Sequence, residues 1–167
     1  MPEDYVIKDG KFIGEFEKLY QNCEEPWNQI SGEMFRTDKA VILNLITKYN
    51  RKNIVEIGCG LGSFTKRIFD LGVNVTGVDI STTAIKKAKE KYPDINFLVG
   101  DILDFYIYEK INPDCIVMAE ITWYVLDKLD IFLNFLRERE RETIDSYTYN
   151  ISNWRTKIWN RKVYLYG

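Results

Sequence analysis

From residue 53 onward the chain alternates short apolar runs with stretches of helical periodicity, and this alternation limits the possible folds most strongly. The apolar runs are IVEIG, VNVTGVD, INFLVGD and DCIVMAE, and the helical stretches around them cover residues 63–71, 82–91 and 128–137. Strands that alternate with helices predict a parallel sheet with helices on both faces. The sequence therefore predicts an α/β fold that forms one domain over residues 1–167.

The first fifty residues follow a different pattern. A short amphipathic stretch at 12–20 leads to a break at Pro26 and Trp27, and apolar residues then recur at helical spacing over 37–49. These features predict an N-terminal helical lid over residues 1–50, placed on an α/β core over 51–136. Residues 137–167 are set apart as a tail of unusual composition.

The first apolar run leads directly into a glycine-rich loop with the sequence VEIGCGLG. Gly58, Gly60 and Gly62 let the backbone turn sharply and approach a ligand closely, and the helix that follows offers free N–H donors. A nucleoside-containing cofactor is the expected ligand. Cys59 is interpreted as a small side chain that fills the turn, since no basic neighbour would make it a thiolate. A dinucleotide fingerprint would need glycine where Ser63 stands, which disfavours a nicotinamide-dependent oxidoreductase.

Carboxylates follow two further apolar runs. Asp79 ends the second predicted strand, where it can accept hydrogen bonds from both hydroxyls of a ribose, and Asp101 follows the third strand, where it can meet an adenine amino group. Glu56 precedes the glycine loop and either braces it or contacts the cofactor. Because parallel strands bind ligands at their carboxyl ends, these groups are expected to converge on one site.

The motifs ExGCGxG, VDIS and GDI, with an acidic residue after the fourth strand, resemble the class I S-adenosylmethionine-dependent methyltransferases over residues 37–136. The resemblance implies a Rossmann-like fold and S-adenosylmethionine as cofactor. By the same resemblance, the residues that bind the cofactor are Glu56, Gly58, Cys59, Gly60, Gly62, Asp79, Ile80, Asp101 and Ile102.

The segment AEITWYVLD follows the fourth strand, which in this family faces the transferred methyl group. Glu120 is expected to contact the cofactor and to accept a proton from an amine or hydroxyl, and Tyr124 is the second candidate catalytic residue. Trp123 and Tyr124 are expected to form an aromatic wall for a substrate. The alternative is that both rings simply cover the edge of the core.

Three shorter matches are similar to the small-molecule branch that includes the nodulation N-methyltransferases. They are FEKLY and EPW before the core and EITWYVL after the fourth strand. This similarity implies that Tyr20 and Trp27 close over the cofactor, and that the substrate is a small amine or a sugar-like molecule. Trp27 as a plain anchor of the lid is the alternative.

Composition limits the partners and the compartment. The 25 acidic residues slightly outnumber the 23 basic ones, which disfavours a nucleic acid substrate. No run approaches the roughly 20 apolar residues that span a bilayer, and the start lacks the pattern of a leader peptide. The three widely spaced cysteines indicate a protein of the reducing cytoplasm. Because histidine, the commonest metal ligand, is absent, no metal site is expected.

The tail departs from the resemblance. A complete fold of the class has seven strands, whereas about thirty residues follow Leu136, and they begin with a strict alternation of arginine and glutamate at 137–142. One hypothesis is a truncated chain or a tail read in a shifted frame. The alternative is a minimal fold with a strand at 143–151 and a short edge strand. Missing strands would leave the fourth strand unpaired and open to homodimer formation.

Two functions follow from these patterns. The first is methyl transfer from S-adenosylmethionine to the nitrogen or oxygen of a small molecule. The second is a non-catalytic or truncated domain that binds S-adenosylmethionine without turnover.

Overall fold

The computed structural model describes residues 2–31, 37–145 and 162–166. The strands are β1 (Ile7–Lys8), β2 (Lys11–Phe12), β3 (Asn53–Ile57), β4 (Asn74–Asp79), β5 (Asn96–Val99), β6 (Cys115–Ala119) and β7 (Lys162–Tyr166). The helices are α1 (Phe16–Asn22), α2 (Thr37–Lys48), α3 (Ser63–Phe69), α4 (Thr82–Lys91), α5 (Phe105–Ile111) and α6 (Leu126–Asp145). Short 3₁₀ turns lie at Pro2–Tyr5, Pro26–Asn28 and Thr122–Tyr124.

A five-stranded parallel sheet in the order β5-β4-β3-β6-β7 forms the centre of the fold. All five residues of β6 are buried, as are four of the five in β3. Continuous apolar runs of this kind are typical of parallel strands that helices cover on both faces. The predicted α/β fold with a parallel sheet is confirmed.

Alternate residues of the central strands face two separate hydrophobic clusters. Ile54 and Val117 pack with the helices α2, α3 and α4, whereas Val55 and Met118 pack with α5 and α6. This division follows from the two-residue period of a strand, which directs neighbouring side chains to opposite faces. The sheet therefore has helices on both faces, as predicted.

The N-terminal segment, defined here as residues 2–31, is only partly helical. It contains the antiparallel hairpin β1–β2 besides α1, so the prediction of a helical lid missed the hairpin. Each strand of the hairpin has only two residues, which is too short for a period-two pattern to be seen.

The end of the chain differs from both predicted forms. Helix α6 continues to Asp145 through the arginine–glutamate alternation, so a strand beginning at residue 143 is wrong; the rest of that predicted strand, residues 146–151, lies outside the described residues. Strand β7 pairs with β6 in parallel from Cys115↔Lys162 to Ala119↔Tyr166. The prediction that β6 has an unpaired edge is therefore wrong. The shifted reading frame stays a hypothesis about the gene.

None of the helices within residues 2–31, 37–145 and 162–166 is both long enough and apolar enough to cross a bilayer.

Candidate active site

A cleft of about 670 Å³ lies where the carboxyl ends of β3, β4 and β6 meet the N-terminal segment. Most of the residues that the sequence singled out line it. They are Trp27, Glu56, Gly58, Cys59, Asp79, Ile80, Asp101, Ile102, Glu120 and Tyr124. Gly60 and Gly62 are not brought to the wall of the cleft. The cleft also includes residues that the sequence did not indicate, among them Gln29, Lys39 and Lys128.

The glycine loop turns out of β3 through left-handed backbone conformations. Gly58 has φ +73°, and a Cβ at this position would lie 2.3 Å from Cγ2 of Ile121, so only glycine fits. The amides of Gly58 and Cys59 donate to the carbonyl of Val78 at 2.7 and 3.0 Å, which fixes the loop against β4. At Gly62 an added Cβ would lie 2.7 Å from the Phe97 ring, so packing in the core requires that glycine.

Gln29 connects the N-terminal segment to the glycine loop. Its Oε1 accepts from the amide of Leu61 at 3.2 Å, and its carbonyl accepts from Oγ of Ser63 at 2.5 Å. Its Nε2 donates to the hydroxyl of Tyr20 at 3.0 Å. An added Cβ on Gly60 would lie 2.5 Å from Gln29 Oε1, so this glycine makes room for the N-terminal segment. Tyr20 thus packs on the loop itself.

Asp79 holds two backbone donors at the end of β4. Its Oδ2 accepts from the amide of Gly60 at 2.8 Å, and its Oδ1 accepts from the amide of Ser81 at 2.9 Å. Burial raises the pKa of Asp79, while the Ser81 and Gly60 amides lower it and the charge of Glu17 raises it further. Each carboxylate oxygen keeps acceptor capacity for a ligand in the cleft.

Glu56 and Cys59 occupy the floor beside the loop. The hydroxyl of Thr65 donates to Oε2 of Glu56 at 2.5 Å, so Glu56 braces the start of α3 while it also lines the cleft. Burial and the charges of Asp79 and Glu56 raise the pKa of the Cys59 thiol. A raised pKa disfavours the thiolate form of Cys59, and its interpretation as a filler of the turn stays a prediction.

Asp101 lies in the turn between β5 and α5, beside the buried Ile102. Its Oδ1 accepts from the amide of Leu103 at 3.0 Å, and its Oδ2 accepts from Nζ of Lys128 at 2.5 Å. Lys128 lies in α6, beyond the next strand of the chain, so no local motif links it to Asp101. The ion pair spans the rim of the cleft.

Glu120 and Lys39 place opposite charges at the carboxyl end of β6. Glu120 has a left-handed backbone with φ 63°, and its Oε2 lies 3.7 Å from Nζ of Lys39. Lys39 is buried and lies over the ring of Phe64, 5.1 Å from its centroid. It comes from α2, so the contact joins the N-terminal half of the protein to the loop after β6.

Tyr124 is the centre of an aromatic cluster at the mouth of the cleft. The ring centroids of Phe16, Phe12 and Trp27 lie 5.2, 6.0 and 6.4 Å from that of Tyr124. An aromatic wall was predicted here, but its partners come from the N-terminal segment. Trp123 lines the cleft with 69% of its surface exposed.

The chain is similar in sequence to a known protein family and to several curated proteins. A family model described as nodulation protein S (NodS) matches residues 16–137. An uncharacterized methyltransferase of Oceanobacillus iheyensis is 34% identical over 38% of this chain and 30% of its own length. Nodulation protein S of Sinorhizobium fredii is 26% identical over 63% of this chain and 50% of its own length.

A third relative is named as a methyltransferase of ribosomal RNA. It is ribosomal RNA small subunit methyltransferase A of Alkaliphilus oremlandii, which is 26% identical over 73% of this chain and 46% of its own length. In all three comparisons the chain spans half the length of the relative or less.

Proposed function

The chain belongs to the nodulation protein S family, and from this membership we propose that it transfers a methyl group from S-adenosylmethionine to a small molecule. The acceptor atom is the nitrogen of an amine or the oxygen of a hydroxyl. The observation that carries the proposal is the buried carboxylate of Asp79, which faces the cleft beside the glycine loop. A buried charge of this kind costs free energy unless it has partners, and the two backbone amides leave it further acceptor capacity.

The polar groups of the cleft match the chemistry of the cofactor from end to end. Asp79 would hold the ribose hydroxyls, and Asp101 would accept from the adenine amino group. Ile80, which is 53% exposed, supplies apolar surface that a flat base would cover, and the buried Ile102 also lines the cleft. Lys39 and Glu120 have the two charges that complement the carboxylate and ammonium of an amino acid. Gly60 and Gly62 act indirectly, by shaping the loop.

When bound, S-adenosylmethionine would supply an electrophilic methyl carbon on its sulfonium, and transfer of that methyl to the electron pair of an acceptor would release S-adenosylhomocysteine. The protein then has mainly to align the acceptor, because methyl transfer needs little more than proximity and orientation. Glu120 can take the proton that an amine or hydroxyl loses. Tyr124 and its neighbouring rings form the wall on which the acceptor rests.

The charge of the chain favours a small acceptor over ribosomal RNA. With 25 acidic and 23 basic residues the protein lacks the excess of cations that phosphate binding needs. The three cysteines Cys23, Cys59 and Cys115 are all free thiols, which supports a reducing compartment such as the cytoplasm.

The first test is calorimetric titration with S-adenosylhomocysteine, the product form of the cofactor. We expect saturable binding by the native chain and a loss of about tenfold or more in Asp79→Asn, since a hydrogen bond to a charged group contributes about 1.5–3 kcal/mol. Asp70→Asn is the matched control, because Asp70 is an exposed carboxylate paired with Lys66 away from the cleft. A folded native chain that does not bind would refute the proposal.

The second test measures turnover. The chain is incubated with S-adenosylmethionine and either a panel of small amines and alcohols or ribosomal RNA, and release of S-adenosylhomocysteine is followed by mass spectrometry. Turnover with a small molecule supports the proposal. Turnover with RNA alone contradicts the substrate class, and binding of the cofactor without any turnover favours the non-catalytic alternative.

A further inference from the structure

The ion pair between Lys128 and Asp101 joins two walls of the cleft that are separate in sequence. Lys128 stands in the first turns of α6, and Asp101 in the turn after β5. Their side chains are 34% and 27% exposed, so the pair is shielded from solvent more than an ordinary surface pair. Both residues line the cleft.

The turn that carries Asp101 is held in place independently of Lys128. The amide of Asp101 donates to Oδ2 of Asp104 at 2.8 Å, and the Asp101 carboxylate accepts from the amide of Leu103. The hydroxyl of the buried Tyr108 donates to the carbonyl of Ile102 at 3.0 Å. The backbone is therefore fixed without the lysine, and what Lys128 adds is the position of the second carboxylate oxygen.

We infer that Lys128 is a specificity-determining residue that fixes the Asp101 carboxylate so that the cleft selects an amino-substituted purine over an oxo-substituted one. The inference rests on the proposed function. An ionised carboxylate only accepts hydrogen bonds, so it favours an amino group and disfavours the oxygen of a 6-oxo base at the same place. A carboxylate with one oxygen bonded to Lys128 and the other to a backbone amide cannot rotate away from the wrong base.

The experiment compares two ligands that differ only at this position of the base. S-Adenosylhomocysteine has the amino group, and S-inosylhomocysteine has an oxygen in its place. Calorimetry gives the ratio of their dissociation constants for the native chain and for Lys128→Met. We expect the native chain to prefer the amino form by about tenfold or more. In Lys128→Met the preference should fall at least about threefold, because the carboxylate is then free to turn toward solvent.

Three further variants separate positioning from a general effect on stability. Lys66→Met removes a lysine from another ion pair of the same length, Lys66–Asp70, and should keep the native ratio. Lys128→Arg keeps the charge and should retain most of the preference. Asp101→Asn replaces the acceptor by a group that can also donate, and should lose the preference even if Lys128→Met does not fold.

Each outcome decides the matter. A native ratio in folded Lys128→Met would overturn the inference, and so would a native chain that binds the two ligands equally. If Lys128→Met does not fold, a native ratio in Asp101→Asn would overturn it. A folded native chain that binds neither ligand would overturn the proposed function itself, which is a different result from an unchanged ratio.

Discussion

Among the residues of the site, Glu120 has an unusual backbone conformation. Its φ of 63° is uncommon for a residue with a side chain, and it follows directly on the buried Ala119 at the end of β6. Conformations of this kind cost free energy, and they persist where the surrounding structure requires them, often at functional sites. Here the turn directs a carboxylate into the cleft, toward the buried ammonium of Lys39.

Lys39 can be tested with ligands that differ in their amino-acid part. We expect Lys39→Met to bind S-adenosylhomocysteine about tenfold more weakly, because one charge-assisted hydrogen bond to the ligand carboxylate is lost. Binding of 5′-methylthioadenosine, which lacks that carboxylate, should not change. Lys48→Met is the control, since Lys48 is an exposed lysine of the same helix. An equal loss for both ligands would show that Lys39 acts on the fold and not on the ligand.

Sequence patterns predicted the site residues that end or follow the core strands, but not several site residues that come from the N-terminal segment and the helices. Asp79 and Asp101 could be predicted because a carboxylate after a buried strand must lie at the sheet edge where ligands bind. Gln29, Lys39 and Lys128 stand on other elements, and no spacing along the chain shows that their side chains meet the site. Their positions depend on how the helices pack, which only the structure shows.

Among the helices, α1 is fastened to α4 at both of its ends. The carboxylate of Glu17 accepts from the hydroxyl of Ser81 at 2.7 Å and from the hydroxyl and amide of Thr83 at 2.6 and 3.1 Å. At the other end Nζ of Lys87 donates to the carbonyls of Tyr20 and Cys23 at 2.7 and 3.3 Å. These bonds hold α1 beside the glycine loop, so the N-terminal segment forms a fixed wall of the cleft.

The Glu17 contact predicts a specific dependence of stability on pH. Hydrogen bonds from the Thr83 and Ser81 side chains lower the pKa of Glu17 from 4.5 to about 2. A lowered pKa stabilises the folded state above pH 4.5, and this contribution is lost as the pH falls toward 2. Because Glu17 is partly exposed, we expect only about 1 kcal/mol from it.

Chemical denaturation of Glu17→Gln measures this contribution. At pH 7 the variant should unfold with about 1 kcal/mol less free energy than the native chain, and the difference should vanish near pH 2. Glu24→Gln, which removes an exposed carboxylate of the same segment, should match the native chain at both pH values. A difference that persists unchanged to pH 2 would contradict the role of the ionised carboxylate.

Helices and strands were predicted correctly where the hydrophobic pattern extends over a long segment. They were missed where the segment is short or where its residue types favour another structure. All four predicted core strands are present, and the helices predicted over 63–71, 82–91 and 128–137 are present as α3, α4 and α6. Helix α5 was missed because its residues FYIYEKI are rich in aromatic and β-branched types that favour strands. The alternation at 137–142 places opposite charges three residues apart but like charges four residues apart, so charge pairing alone does not predict the helix that the structure shows.

In the whole molecule, the strand order of the sheet determines which strand edges are open to pairing with another chain. Strand β3 lies between β4 and β6, and β7 covers the outer side of β6 along all five of its residues. An unpaired strand edge is a template for pairing with another chain. The predicted homodimer would therefore have to use β5 or β7, and it stays a prediction.

Removing β7 tests whether this strand protects the sheet. A chain that ends at residue 160 lacks Lys162–Tyr166, so β6 loses its parallel partner while its five apolar residues remain between the two helical layers. We expect this chain to self-associate at micromolar concentration, because the backbone groups along the outer edge of β6 become accessible for pairing. Sedimentation velocity would show dimers or larger species that grow with concentration, whereas the full chain at the same concentrations is the control. A shortened chain with the same sedimentation coefficient and the same unfolding midpoint as the full chain would mean that β7 adds nothing to the sheet. The four strands β3 to β6 would then be sufficient to hold the cleft.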